Sequence, residues 1–103
     1  MSFAGIRSGE PIPTFNGNNY PFWKDKMMRN IKAQDSDAWN LVEEGLPAID
    51  DREELKRLTL LDSQACVFIT NHVDEAHYHI VRNNESSKEV WDYIKKISEG
   101  ANA

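Results

Sequence analysis

A segment near the N-terminus, rich in proline, asparagine and aromatic residues, reads Pro13-Thr14-Phe15-Asn16-Gly17-Asn18-Asn19-Tyr20-Pro21-Phe22-Trp23. Proline fixes φ and disfavours helix in the residue before it, so residues 11–18, which hold two prolines, are expected to run extended. Gly17 follows an asparagine and predicts a turn, because glycine takes positive φ at little cost. Pro21 suits the first turn of a helix, where its missing N–H loses no partner. The stretch predicts an extended arm that packs through Phe15 on the start of a first helix.

From Tyr20 onward, apolar residues recur at helical spacing. Tyr20, Trp23, Met27 and Ile31 fall on one stripe and predict a first helix over about residues 20–34. Residues that typically begin or end helices recur along the rest of the chain. No segment alternates between apolar and polar residues with the period of two that is typical of a strand. The sequence therefore predicts an all-α fold, a compact bundle of four to five helices behind an extended N-terminal arm.

Further helices are delimited by their ends. Gly45 predicts the end of a short second helix, Asp50 the start of the longest one, and Ser86-x-x-Glu89 a capping box before the last. Off-stripe apolar residues, Leu60 and Val67, suggest that the longest helix is contacted on more than one side. We expect it to be the central element.

Length and composition predict one domain. Residues 1–10 are small and polar and are expected to be disordered, residues 11–100 to form a single helical domain, and residues 101–103 to be a tail.

Charge and cysteine content narrow the function classes. The net charge is −5 and the isoelectric point is near 5.1, without the basic footprint of most nucleic-acid-binding domains. No run of apolar residues approaches a membrane span or a signal peptide. A single cysteine forms no internal disulfide, so the cytoplasm is the expected compartment, with the nucleus as the alternative.

Positive charge concentrates in the first helix. A solvated helix face is the commoner explanation for such a cluster, and contact with phosphate or anionic lipid the rarer one. Two apolar residues of the same helix fall off its stripe and are expected at the surface. Together these side chains form the candidate interaction surface, which consists of Phe22, Lys24, Lys26, Met28, Arg29 and Lys32. Its expected counterpart on a neighbouring molecule is acidic, around Glu43, Glu44, Asp50 and Asp51.

Histidine and cysteine often bind metals or act in catalysis, but their spacing in this sequence does not favour either role. His72, His77 and His79 are spaced by five and two residues, whereas zinc-binding histidines on a helix lie four apart. Cys66 lies in mid-helix without a base placed near it by the sequence. We expect no enzyme activity, no metal site, no cofactor and no small-molecule substrate.

Three tryptophans, Trp23, Trp39 and Trp91, occupy stripe positions. Tryptophan at such a position belongs more often to a core than to a binding site. We expect all three to be core residues.

The same segments carry a family resemblance. The chain resembles the N-terminal domain of the gag (capsid) polyprotein of copia-type long-terminal-repeat retrotransposons. The resemblance spans residues 11–100 and continues through Trp39-Asn40-Leu41-Val42-Glu43-Glu44-Gly45 and Ser87-Lys88-Glu89-Val90-Trp91-Asp92. The matching residues that we take as the family signature are Pro13, Phe15, Gly17, Asn19, Tyr20, Trp23, Trp39, Gly45 and Trp91.

The resemblance implies a capsid-type assembly module that contributes protein contacts to a virus-like particle. Two departures matter: the chain ends where the family continues into a second helical domain, and it lacks the zinc knuckle that grips RNA in many gag proteins. RNA contact is therefore expected only indirectly or through segments absent here. The alternative is a host-domesticated gag-like module that binds another protein, for example an immune or regulatory protein.

Overall fold

The computed structural model describes residues 11–100, so the predictions for residues 1–10 and 101–103 lie outside the described range. Within it the chain forms five helices, which are α1 (Tyr20–Gln34), α2 (Ser36–Glu44), α3 (Arg52–Thr70), α4 (Glu75–Val81) and α5 (Ser87–Glu99). The described residues form no strand, only one isolated parallel bridge that joins Phe15 to Val73. The all-α prediction is confirmed.

The helix ends follow the local chemistry of the sequence. Asp35, Asp51, Asp74 and Ser86 each accept a hydrogen bond from a backbone N–H of the first turn that would otherwise lack a partner. The cap of α3 is Asp51 rather than Asp50. Four of the five helices therefore begin at a side-chain cap, whereas α1 begins with Pro21 in its first turn and without a side-chain cap.

α2 and α5 form the centre of the bundle. α5 packs against α2, α3 and α4, whereas α2 packs against α1, α3 and α5. α3 packs mainly against these two helices, so the expectation that the longest helix is central was wrong. The physical reason is that Leu60 and Val67 are exposed instead of covered by a second layer.

One hydrophobic core joins all five helices and the arm. Its fully buried members include residues from the arm and from α1, α2, α3, α4 and α5, such as Phe15, Trp23, Val42, Ala65, Val81 and Ile94. No helix within residues 11–100 combines the length and the apolarity needed to cross a lipid bilayer.

Candidate functional site

Phe15 of the arm lies in an aromatic cluster with two signature residues of α1 and with His77 of α4. Phe15 is fully buried, and its ring centroid lies 5.4 Å from that of Trp23, 6.5 Å from that of Tyr20 and 5.0 Å from that of His77. The contacts with Tyr20 and His77 are edge-to-face, a favoured geometry for aromatic pairs. The predicted packing of the arm on α1 through Phe15 is confirmed.

The arm is also held by backbone hydrogen bonds, which sequence reasoning missed. The Phe15 N–H donates to the His72 carbonyl oxygen at 2.8 Å, and the Asp74 N–H donates to the Phe15 carbonyl oxygen at 3.0 Å. The Trp23 indole N–H donates to the same His72 carbonyl at 2.9 Å. The connection between α3 and α4 therefore fixes the arm and α1 together. No sequence pattern indicates this pairing, because it joins segments far apart in the chain through backbone groups.

Side-chain hydrogen bonds organise the asparagine-rich turn. The Asn18 N–H donates to Asn16 Oδ1 at 2.8 Å, the Asn16 N–H donates to Asn19 Oδ1 at 3.1 Å, and Asn19 Nδ2 donates to the Thr14 carbonyl at 2.9 Å. Gly17 adopts φ +91°. The asparagines thus close the turn locally and leave the arm aimed at α1, so the role of Asn19 is structural.

A close approach at Gly17 reinforces the turn. A Cβ atom at Gly17 would lie 3.0 Å from His77 Cε1 and 3.1 Å from Nε2. His77 Nδ1 donates to Asp74 Oδ1 at 2.6 Å. Because this carboxylate accepts hydrogen bonds from the backbone and the ring of His77, the pKa of Asp74 falls below its ordinary value.

The three tryptophans are core residues, as predicted. Trp91 lies between the other two: its ring stacks on Trp23 at 5.4 Å and meets Trp39 edge-on at 5.4 Å. Gly45 ends α2 with φ +86°. Pro13 is half-buried in the arm. These signature residues stabilise the fold and offer no open binding site.

The candidate interaction surface on α1 is divided. Phe22 is 58% exposed, with the Lys26 ammonium 5.5 Å from its ring centroid, and Arg29 pairs with Asp25 on the same outer side. Lys24 and Lys32 instead lie over core aromatic rings, at 5.5 Å from Tyr20 and 5.7 Å from Trp39. The four cations therefore do not form one patch.

Met28 was placed wrongly. It is half-buried and packs against the core instead of standing at the surface. Its flexible thioether side chain reaches back to apolar neighbours from the edge of the stripe. The outer face of α1, as we use the term below, consists of Phe22, Lys26 and Arg29.

The histidines have separate partners. His72 Nδ1 donates to the Phe68 carbonyl at 2.8 Å, His77 binds Asp74, and exposed His79 lies 3.8 Å from Glu75. Within residues 11–100 no three His, Cys, Asp or Glu side chains come together as a metal site.

Cys66 is half-buried in α3. Burial and the negative charges of Asp62 and Glu89 raise the pKa of its thiol. A raised pKa disfavours the thiolate, the nucleophilic form of cysteine.

A surface pocket of about 430 Å³ opens beside the turn, among Asn18, Lys24 and Glu99. Tyr20 lines it, but its hydroxyl is shielded from solvent and makes no hydrogen bond of ordinary geometry. Burial, followed by the nearby Glu99 carboxylate, raises the pKa of Tyr20 to about 12. The pocket therefore presents no accessible reactive group of this tyrosine to a ligand.

Apolar side chains also remain exposed beyond α1. On the other helices of the described chain, the most exposed of them are Leu60 and Val67 of α3 and Tyr78 and Ile80 of α4. Isolated apolar residues are common on protein surfaces, but groups on one helix face mark interaction sites. These exposed residues are candidates for contacts with other proteins.

No protein-family model, curated protein or solved structure matches the chain. The likeness to copia-type gag therefore rests on the sequence motifs alone.

Proposed function

We propose that this chain is a non-enzymatic protein-interaction module of the assembly type, and that it works as the N-terminal capsid domain of copia-type gag does in virus-like particles. The single observation that carries the proposal is the contrast between Phe22 and its neighbours. Tyr20 and Trp23 are buried, whereas Phe22 is 58% exposed on the same helix turn. A large aromatic side chain held at a surface beside cationic groups is typical of an interface anchor.

The proposed contact is head-to-tail. Lys26 stands over the Phe22 ring, which gives the outer face of α1 a combined apolar and positive character. The acidic residues Glu43, Glu44, Asp50 and Asp51 are all exposed. A positive surface on one copy and an acidic surface on the next can repeat, and such heterologous contacts generate rings or open arrays.

The setting that we propose is the cytoplasm or the nucleus, on the ground of the single cysteine. The partner is protein, either another copy or a host protein, and RNA is reached only indirectly. The net negative charge of the chain favours a protein partner over RNA, because direct RNA binding draws much of its affinity from the neutralisation of phosphates.

The test is a triple variant of the outer face, Phe22→Ser with Lys26→Glu and Arg29→Glu. A matched control changes one exposed apolar residue and two exposed lysines elsewhere, as Ile80→Ser with Lys95→Glu and Lys96→Glu. Sedimentation velocity measures association over a concentration series at low and high salt, and circular dichroism verifies the helices.

We expect the outer-face variant to lose association while the control retains it. Added salt should weaken the wild-type contact, because exposed charges are screened beyond about 8 Å at physiological ionic strength. Equal association of the two folded variants would contradict the proposed surface. Binding of wild type to a host protein without self-association would favour the domesticated alternative.

A further inference from the structure

The turn before α1 contains the only Asn-Gly step of the sequence, Asn16-Gly17. Both residues are exposed. An asparagine that precedes glycine loses its side-chain amide more readily than other asparagines, because no Cβ on the next residue hinders attack of the backbone nitrogen on Cγ. The groups around the two residues decide whether the folded chain permits this reaction.

The attacking atom is the backbone nitrogen of Gly17, and it is not held by the fold. Its N–H donates no hydrogen bond within residues 11–100, and Gly17 belongs to no helix or strand there. An N–H that is engaged in a helix or a sheet cannot turn toward a side chain, and this is how secondary structure suppresses the reaction. The turn leaves the nucleophile available.

The attacked carbonyl group of Asn16 is polarised by a hydrogen bond. The Asn18 N–H donates to Asn16 Oδ1 at 2.8 Å. When the Gly17 nitrogen adds to Asn16 Cγ, negative charge develops on this same oxygen. A donor that is already in place stabilises such a tetrahedral intermediate, as an oxyanion hole does. One hydrogen bond therefore serves both the shape of the turn and the reaction.

We infer that Asn16 is a self-modification site, at which the folded turn promotes conversion of asparagine into aspartate and isoaspartate. The Gly17 nitrogen gives its proton to solvent and bonds to Asn16 Cγ. The bond from Cγ to the side-chain nitrogen then breaks, and this nitrogen takes a proton from water and leaves as ammonia. Water opens the resulting cyclic imide at either carbonyl. The net reaction consumes water and releases ammonia, without oxidation or reduction.

Isoaspartate changes how the arm is held. Its main chain runs through the former side chain, so the backbone between Phe15 and α1 becomes longer. The Phe15 N–H and C=O are bound to the α3–α4 connection, and Gly17 lies close to the ring of His77. Neither contact can absorb a longer turn without shifting. Isoaspartate therefore loosens the arm, whereas aspartate at position 16 keeps both the Oδ1 acceptor and the original backbone length.

The inference does not depend on the proposed assembly function. It concerns the attachment of the arm, which changes with the age of the molecule instead of with a ligand or a partner. The two proposals can therefore fail separately.

Ageing of the purified chain at neutral pH, followed by peptide mapping with mass spectrometry, measures the conversion of Asn16. A synthetic peptide of residues 11–23 in the same buffer is the unfolded reference. Asn83, an exposed asparagine followed by Asn84, is the control within the same molecule.

We expect Asn16 to convert at least as fast in the folded chain as in the peptide, and many-fold faster than Asn83. Slower conversion in the folded chain than in the peptide would overturn the inference, because the turn would then protect the residue. Conversion no faster than that of Asn83 would overturn it as well.

The effect on the arm is measured on the product. The isoaspartyl form is separated by chromatography and compared in urea unfolding with fresh wild type and with Asn16→Asp. We expect a lower urea midpoint for the isoaspartyl form and a midpoint near that of wild type for Asn16→Asp. Equal midpoints of the isoaspartyl form and wild type would contradict the loosening.

Asn16→Gln is the control for ageing at other sites, because the longer side chain forms a cyclic imide far more slowly. Its urea midpoint should stay constant over the time in which the wild-type midpoint falls. An equal fall in the two chains would assign the loss of stability to another residue and overturn the role of Asn16.

Discussion

Phe15 shows how one residue of the arm serves two purposes. Its ring fills the space between Trp23 and His77, and its backbone N–H and C=O pair with the α3–α4 connection. The side chain supplies hydrophobic burial, and the backbone pairing fixes the direction in which the arm runs.

Phe15→Ala should therefore destabilise the domain by about 3–5 kcal/mol, the usual cost of truncating a buried phenylalanine. Urea unfolding followed by tryptophan fluorescence measures the loss. Phe22→Ala is the matched control, because Phe22 is exposed, and its cost should stay within about 0.5 kcal/mol. Similar losses for the two variants would mean that the arm is not anchored by Phe15.

Gly17→Ala tests the turn. An L-residue at φ +91° is strained, and the added Cβ would lie 3.0 Å from His77 Cε1. We expect a loss of roughly 1–2 kcal/mol, the cost of left-handed backbone for a residue with a Cβ. Gly100→Ala is the control, since its Cβ would meet nothing within 4 Å and its φ is −65°. If Gly17→Ala is as harmless as Gly100→Ala, the turn relaxes and the close approach to His77 has no energetic weight.

Asp74 makes stability depend on pH. Its pKa is lowered in the folded chain, so its contribution is fully present above the ordinary value of 3.8 and is lost as pH falls through the lower folded pKa. We expect wild type to be more stable than Asp74→Asn at neutral pH, and the difference to shrink below about pH 3.8. Urea midpoints of both chains across a pH series measure it, and a difference that persists unchanged at the lowest pH would contradict the carboxylate's role.

The sequence predicts residue burial well where periodicity is strong. Trp23, Met27 and Ile31 follow the stripe and are buried, and Phe22 off the stripe is exposed. Met28 was misplaced because a long flexible side chain at the edge of the stripe can turn either toward the core or toward solvent. The His72 contact with the arm was missed because it uses backbone groups, which periodicity does not register.

At the scale of elements, α3 and α5 are joined by a buried polar contact as well as by apolar packing. The Ser87 hydroxyl donates to Asp62 Oδ1 at 2.5 Å, and both residues are buried. Asp62 also accepts from the Ser87 backbone N–H at 3.4 Å, at the start of α5. The contact sets the register of the two helices, because a shift of either would leave a buried polar group without its partner.

Ser87→Ala should cost about 1–3 kcal/mol, since the buried carboxylate loses its hydroxyl donor. Replacing both partners, as Ser87→Ala with Asp62→Leu, should restore part of that stability because no buried polar side chain then remains unsatisfied. Urea unfolding of the three chains measures both effects. A double variant less stable than Ser87→Ala alone would indicate that Asp62 contributes through other contacts.

Element boundaries were predictable because each helix carries its own signals. The predicted first helix, about residues 20–34, matches Tyr20–Gln34, and the capping box at Ser86 begins α5. The expected central place of α3 was wrong because apolar residues off the main stripe, Leu60 and Val67, do not reveal whether they face a neighbour or solvent.

The molecule as a whole combines a buried, largely aromatic and aliphatic core with several apolar residues that are exposed on its helices. The buried residues of the arm and of the five helices stabilise the fold, whereas Phe22 on α1 and Leu60 and Val67 on α3 are more than half exposed. The proposed assembly module would use the exposed residues of α1, and the buried core would hold them in place.

Sedimentation velocity of the wild-type chain tests whether it self-associates, as we propose for the outer face of α1. Samples from micromolar to millimolar concentration are compared at low and high salt. We expect a monomer at the lowest concentration and a sedimentation coefficient that rises with concentration, less steeply at high salt. A monomer at every concentration and salt would contradict self-assembly.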